Sequence, residues 1–368
     1  MTDKQIYQIG LTMINGVGDI LARHLLQSLG DAEAVFKEKQ ALLEKIPGIG
    51  SKLAAEIKHP NVLKRAEKEM SFIEKNHLSY YFLTDPHYPT RLKECPDAPV
   101  LFYFKGNADL NSQRIISVVG TRTPTEYGRD LTQKLLQDLS TYYPDLLIVS
   151  GLAYGIDICA HQQALKNQLP TVAVLAHGLD RIYPSVHRNT AIQMLEKGGL
   201  LTDFPSGTDP DRPNFLCRNR IIAGLSDCTI VIESAERGGS LVTADIAFSY
   251  GREVYCFPGR SNDHYSKGCN NLIRKNKAGL ITSAEDLLAA LCWDISTKPI
   301  QAELSFKEHE DSDKQHPILQ ILESQETIHI NQLALNLKVS IQQLSALLFE
   351  LEMDGKIKSL PGNMYKRL

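Results

Sequence analysis

Ile115-Ile-Ser-Val-Val119 runs into Gly120-Thr121-Arg122, and one helix length later Leu146-Leu-Ile-Val-Ser150 runs into Gly151-Leu-Ala-Tyr-Gly155-Ile-Asp157. Each run is short, apolar and rich in β-branched residues, the signature of a strand buried on both faces. Each stops at glycine immediately before a helical pattern. Two such units in succession define a nucleotide-type fold, with loops on one sheet edge whose bare amides suit an anion. The arginine in the first loop makes a phosphate the expected anion.

Working outward, strand-like runs recur at 115–119, 146–150, 171–175, 228–232, 253–257 and 279–282. Helical patterns lie between most of them, for example at 127–140, 157–166, 186–197, 241–250 and 284–291. This alternation predicts an α/β fold, an extended Rossmann-like parallel sheet with helices on both faces and its chemistry at the carboxyl ends of the strands. Leu78-Ser-Tyr-Tyr-Phe-Leu83 and Val100-Leu-Phe-Tyr-Phe104 also have strand composition. The prolines between them mark an extended connector or an added edge to the sheet.

The flanks are different. Residues 1–66 read as helical and contain Ile14-Asn-Gly16-Val-Gly18 and Ile46-Pro-Gly48-Ile-Gly50, each leading into an amphipathic helix. They resemble tandem helix-hairpin-helix motifs, which grip a nucleic-acid phosphate; the plainer alternative is a small bundle with glycine corners. Residues 67–293 hold the sheet, and the polar stretch 294–314 reads as a linker. Residues 315–368 show three helical stretches and a terminal hairpin, the outline of a winged helix. Its expected recognition helix, Ser340–Met353, has no lysine or arginine and carries Glu350 and Glu352. Only Lys356, Lys358, Lys366 and Arg367 in the wing offer cations to a phosphate, which favours a protein-contact or regulatory role over groove reading.

Bulk properties narrow the classes. With 40 Lys+Arg against 43 Asp+Glu, the net charge of −3 excludes a generally basic nucleic-acid coat, so any such binding must come from a local cluster. No apolar run reaches membrane-spanning length and no signal peptide is evident, which predicts a cytoplasmic protein without membrane attachment. Seven scattered cysteines without a Cys-x-x-Cys predict reduced thiols and no zinc. No dinucleotide fingerprint or P-loop is present, and no cofactor or metal is expected.

The candidate site residues gather in five loops. Gly120, Thr121 and Arg122 offer amides, a hydroxyl and a guanidinium. Ser150 begins the next loop, in which Gly151 and Gly155 allow close approach of another backbone or a ligand. Asp157 and His161, four apart on one helix face, read as buried structural residues ahead of a catalytic pair. Arg212, Phe215, Arg218, Asn219 and Arg220 combine cations with a ring, as on a single-strand platform. One of Arg218 and Arg220 is expected to hold a neighbouring loop instead. Gly238, Gly239 and Ser240 open a helix, a possible phosphate seat. Pro258-Gly259-Arg260 and Lys267-Gly268 complete a positive edge wide enough for several phosphates.

These loops resemble the DNA-processing protein A (DprA/Smf) family. The pattern is matched at Tyr88-Pro89, Val119-Gly-Thr-Arg122, Ser150-Gly-Leu-Ala-x-Gly-Ile-Asp157 with Ala160-His161, Tyr183-Pro184, Phe215-x-x-Arg218-Asn-Arg220, Gly239-Ser-Leu-x-Thr-Ala244 and Pro258-Gly259. It spans about residues 88–282. The resemblance implies a non-catalytic, sequence-independent single-stranded-DNA binder that protects incoming strands during natural transformation, loads RecA recombinase and works as a homodimer. It implies phosphate contacts from Gly120, Thr121, Arg122, Arg218 and Asn219, help from Gly238–Ser240, and a base contact from Phe215. Lys267 joins them on charge alone. The competing expectation is a Rossmann-like enzyme that cleaves nucleoside monophosphates with Glu233.

Overall fold

The structure, a computed structural model, describes residues 3–293, 317–325 and 327–368. Two compact units make up the chain, Met1–Thr297 and Lys298–Leu368. The expected linker at 294–314 lies outside the described residues.

Among the described residues of the first unit, nine strands form one sheet: Ser79–Phe82 (β1), Leu101–Gly106 (β2), Ile115–Val119 (β3), Leu147–Ser150 (β4), Thr171–Val174 (β5), Gly199–Thr202 (β6), Cys228–Val231 (β7), Glu253–Cys256 (β8) and Gly279–Leu280 (β9). Their spatial order is β1-β2-β6-β5-β4-β3-β7-β8-β9. From β6 to β9 every pairing is parallel, as the alternating pattern predicts. β1 and β2 add to the edge antiparallel, so the proline-rich segment is an added edge. Strand β6 was not expected: Gly199-Leu-Leu-Thr202 is short and opens on glycine, although all four residues are buried. The chain walks outward from β3 to β6, then crosses back to β7 on the other side of β3. The order therefore reverses at β3, where such sheets open a crevice at their carboxyl edge.

Arg91 shows how the added edge is tied on. Its guanidinium makes a two-pronged bond to Asp227 (2.6 and 3.1 Å) and donates to the carbonyls of Ser112 and Gln113 (both 2.8 Å). Asp227 also accepts the N–H of Ile115 at 2.8 Å, so one carboxylate fixes both the connector and the start of β3. Tyr88 is buried, and its hydroxyl donates to the carbonyl of Pro99 at 2.6 Å.

The helical N-terminal segment shares a core with β1 and β2, in which Ile9, Leu25, Val35, Ala54 and Ile73 meet Phe82, Leu101 and Tyr103. The helix Pro60–Lys75 runs through residue 66. The two glycine hairpins pack reciprocally. A Cβ on Gly16 (φ +81°) would meet Leu53 at 2.9 Å, and one on Gly48 (φ +87°) would meet Leu21 at 2.9 Å. Leu21 follows Gly16 at the same step as Leu53 follows Gly48, so each hairpin's glycine meets the equivalent leucine of the other and the pair is pseudo-symmetric. Asp19, just past the first hairpin, faces the sheet unit. It accepts from the N–H of Val100 (2.8 Å) and from Arg220 (2.8 Å).

The second unit has helices Pro317–Ser324, Ile330–Leu337 and Ile341–Met353 and a sheet of Ile328–His329 (β10), Ile357–Leu360 (β11) and Met364–Arg367 (β12) in the order β10-β12-β11. Ser340 and Gln343 close a capping box at the third helix. That helix buries Leu344, Leu348 and Leu351 and leaves Ile341, Phe349 and Met353 exposed. In the hairpin, Lys358 and Lys366 are cross-strand neighbours and Arg367 bonds to Glu323.

Arg220 is the hinge pin between the hairpin segment and the sheet. It bonds Asp203 (2.6 Å), Asp19 and the carbonyl of Asp97. Burial works against its charge, but the three aspartates outweigh that and push its pKa up. Arg220→Leu leaves Asp19 and Asp203 facing each other unneutralised, and removing one partner of a buried ion pair costs about 3–5 kcal/mol. The expected result is a large fall in the urea midpoint; an unchanged midpoint contradicts this role.

Candidate single-strand interface

The carboxyl edge opens into a cavity of about 700 Å³ at the reversal point beside β3. The loop after β3 supplies Gly120, Thr121 and Arg122, the β4 segment Ala153 and Asp157, and the loop after β7 Ser234, Arg237, Gly238, Gly239 and Ser240. The helix Arg212–Leu225 lines the opposite wall with Arg212, Phe215, Arg218, Asn219 and Ile222. Those positions recur at three- and four-residue spacing, one stripe of a helix. Arg122, Arg212, Arg218 and Arg237 meet only one carboxylate there, Asp157, so the cavity is cationic.

Phe215 is the ring around which the cations gather. The Arg122 guanidinium lies 5.4 Å from its centroid and that of Arg218 lies 5.8 Å away. Tyr183 meets it edge-on with centroids 6.0 Å apart, and stays 45% exposed. A base entering here finds two rings and flanking positive charge.

Arg218 is 3% exposed, and its Nε has no partner among the described residues. Its guanidinium lies against Gly151, where any Cβ would overlap it and the Asp157 carboxylate. Burial brings its pKa down to about 10, opposed by Asp157, so it remains charged at neutral pH. Burial likewise raises the Asp157 pKa. A guanidinium in the cavity lining, kept charged beside a single buried carboxylate, suits an anion.

Several expected contacts have structural duties instead. Arg220 points away from the cavity into the hairpin junction: two residues along a helix is about 200° of rotation, so Arg218 and Arg220 cannot share a face. The Ser150 hydroxyl is buried and donates to the carbonyl of Val118 at 2.6 Å. Gly155 (φ +86°) is where the β4 loop crosses the β3 loop; a Cβ there would strike the backbone of Thr121 and Arg122. The amide of Thr121 donates to the carbonyl of Glu233 at 2.8 Å and its hydroxyl accepts the N–H of Thr123 at 3.3 Å, so what it offers a ligand is the hydroxyl proton. Lys267 begins the helix Lys267–Arg274 and is exposed, outside the cavity lining.

Glu233 does not face the arginines. Its carboxylate accepts from the N–H (2.9 Å) and hydroxyl (2.5 Å) of Thr125, under the first turn of the helix Glu126–Tyr142. Asp157 and His161 are both buried, as the structural reading of that pair requires. The lining residues that carried no expectation of contact include Arg237, Tyr183 and Tyr265. Arg237 was readable as a cation beside the Gly238-Gly239 turn; the two tyrosines come from remote loops.

The family model for DNA recombination-mediator protein A matches residues 79–292, and that for the DprA winged helix domain matches residues 302–363. The chain belongs to the DprA/Smf family. Protein Smf of Escherichia coli is 34% identical over 83% of this chain and 84% of its own length. DNA processing protein DprA of Streptococcus pneumoniae is 40% identical over 59% of this chain and 78% of its own length. The solved structure of the pneumococcal protein covers 78% of this chain and 98% of its own, at 33% identity and a TM-score of 0.64. A Helicobacter pylori DNA processing protein A, described for its single-stranded DNA binding mode, covers 59% of this chain and 97% of its own, at 29% identity and a TM-score of 0.52. Among the described residues no helix is long and apolar enough to cross a membrane.

His161 makes a pH test of the buried packing behind the cavity. Its Nδ1 lies 2.8 Å from the Thr171 hydroxyl, and burial, with Arg218 and His187 nearby, lowers its pKa to about 3. The unfolded chain regains a value of about 6.5, so it binds the extra proton. Stability is therefore full above that value and falls as pH drops toward 3, by up to about 1.4 kcal/mol per pH unit from this group. His161→Gln should flatten that acid limb in thermal melts taken across this range. Parallel losses in variant and wild type would contradict the assignment.

Proposed function

We propose that this protein binds single-stranded DNA without sequence preference in the cationic cavity beside β3, and that no chemistry is done on the strand there. The observation that carries the reading is the convergence of Arg122, Arg212, Arg218 and Arg237 with the Gly238-Gly239 amides around Phe215. Guanidiniums and a helix start take phosphates regardless of sequence, and a ring stacks on any base. The functional contacts are Gly120, the Thr121 hydroxyl, Arg122, Arg212, Phe215, Arg218, Asn219, Gly238, Gly239 and Ser240, joined by Arg237 and Tyr183. Gly151 and Gly155 act by letting backbone and guanidinium approach. The described binding mode of the Helicobacter pylori relative and the names of the pneumococcal and other DNA processing relatives support the same substrate.

On this reading the protein works in the cytoplasm as a homodimer that protects strands taken up in natural transformation and hands them to RecA recombinase. The winged-helix unit serves a protein contact: its third helix offers Ile341, Phe349 and Met353 to solvent where a groove reader carries cations. The competing reading, a glutamate-dependent nucleoside monophosphate hydrolase, loses its base because both Glu233 carboxylate oxygens are engaged by Thr125. Release of free base from a nucleoside monophosphate, without strand binding, would restore it.

The test is a salt-titrated binding assay with single-stranded oligonucleotides. Log K should fall by about 0.7 for each phosphate neutralised per tenfold rise in salt, whereas a flat response contradicts a phosphate track. Arg122→Glu should abolish binding with the melting temperature kept, since the side chain is exposed; unchanged affinity at moderate salt rejects its role. Phe215→Ala should cost roughly 1–3 kcal/mol of binding with most of the salt slope preserved.

A further inference from the structure

A second cavity, of about 840 Å³, adjoins the first and shares Tyr265 with it as a wall. Its other walls are Tyr127, His264 and Pro258, and its rim carries Glu126, Asp263 and Arg260, with Glu233 in the floor. The two cavities have opposite electrostatics. The first holds four arginines and one carboxylate. The second holds three carboxylates against Arg260 and His264, so a phosphate would be repelled there. What it offers instead is aromatic surface. Tyr127 is 50% exposed and its hydroxyl reaches the carbonyl of Pro258 at 3.2 Å. The His264 and Tyr265 rings meet edge-on at 4.9 Å.

The wall between the cavities is held in place. The Thr123 hydroxyl, one residue beyond Arg122, donates to the Tyr265 hydroxyl at 2.6 Å, and the Tyr265 carbonyl accepts from the N–H of Ser234 at 2.7 Å. Tyr265 is thus clamped between the loops after β3 and β7, the two that carry the phosphate contacts. A nucleotide whose phosphate sits on Arg122 has its base within reach of that ring.

We infer that this second cavity takes a nucleobase of the bound strand, stacked among Tyr127, His264 and Tyr265, while the backbone phosphates stay on the arginines next door. The inference rests on the single-strand reading and adds to it a base site that lies apart from Phe215. Segregated charge gives the strand a defined roll: phosphates toward β7 and the Arg212–Leu225 helix, one base turned toward the β8 loop.

The test uses the full chain, an oligodeoxycytidylate, and a deoxyribose-phosphate strand of the same length that lacks bases. Tyr127→Ala and His264→Ala should each weaken binding of the base-bearing strand roughly tenfold, within the range of one lost stacking contact. Both should bind the baseless strand as wild type does. Tyr127→Phe keeps the ring and should retain wild-type affinity for both strands, which separates stacking from the hydroxyl contact to Pro258. Equal losses on both strands, or none on the base-bearing strand, overturn the base site and leave the phosphate track standing. If wild-type protein binds neither strand, the single-strand reading itself falls and this inference with it.

Discussion

A guanidinium buried against a glycine organises the site. Arg218 can lie flat on the β4 loop only because Gly151 has no side chain, and it stays charged there because Asp157 is buried beside it. Taking a charge out of water is costly, and a single carboxylate does not satisfy five guanidinium donors. Arg218 is also part of the cavity lining. The neighbouring loops serve the same end: Gly155 lets the β4 loop cross beneath Thr121 and Arg122, and the Glu233 carbonyl fixes the Thr121 amide. The sheet's reversal at β3 is what brings these loops to one edge.

The same glutamate that holds the β3 loop through its carbonyl braces Thr125, the N-cap of the following helix, through its carboxylate. A residue that a Rossmann-like hydrolase would use as a base is here a girder between β7 and the helix Glu126–Tyr142. Arg220 has an equivalent structural duty on the far side of its helix, where it holds the glycine-hairpin segment by Asp19.

Much of this was legible in the sequence, for identifiable reasons. The parallel core was readable because strands buried on both faces are continuous apolar runs, as at 115–119 and 147–150. β6 escaped because Gly199 and Thr202 dilute its pattern. The cluster at 215–220 was recognised as cationic but not as helical, although Pro213 in the first turn is a helix-start signal. Helical spacing would have grouped Phe215 with Arg218 and Asn219 and sent Arg220 to the other face. Lys267 was judged on charge alone, and charge does not say which side of a loop a residue occupies. Tyr183 and Tyr265 were beyond reach, because only the fold brings residues so far apart in the chain to Phe215 and Thr123.

The central claim is that the buried Arg218 guanidinium, part of the cavity lining, is a phosphate seat. The most direct measurement follows the Arg218 Nε–H signal by NMR on arginine-labelled protein, assigned with Arg218→Lys, as a single-stranded oligonucleotide is added. A downfield shift that saturates with strand binding is the predicted result. An Arg218 signal that stays in place at saturation, while Arg122 and Arg237 move, would contradict the account and make that guanidinium a purely structural cation.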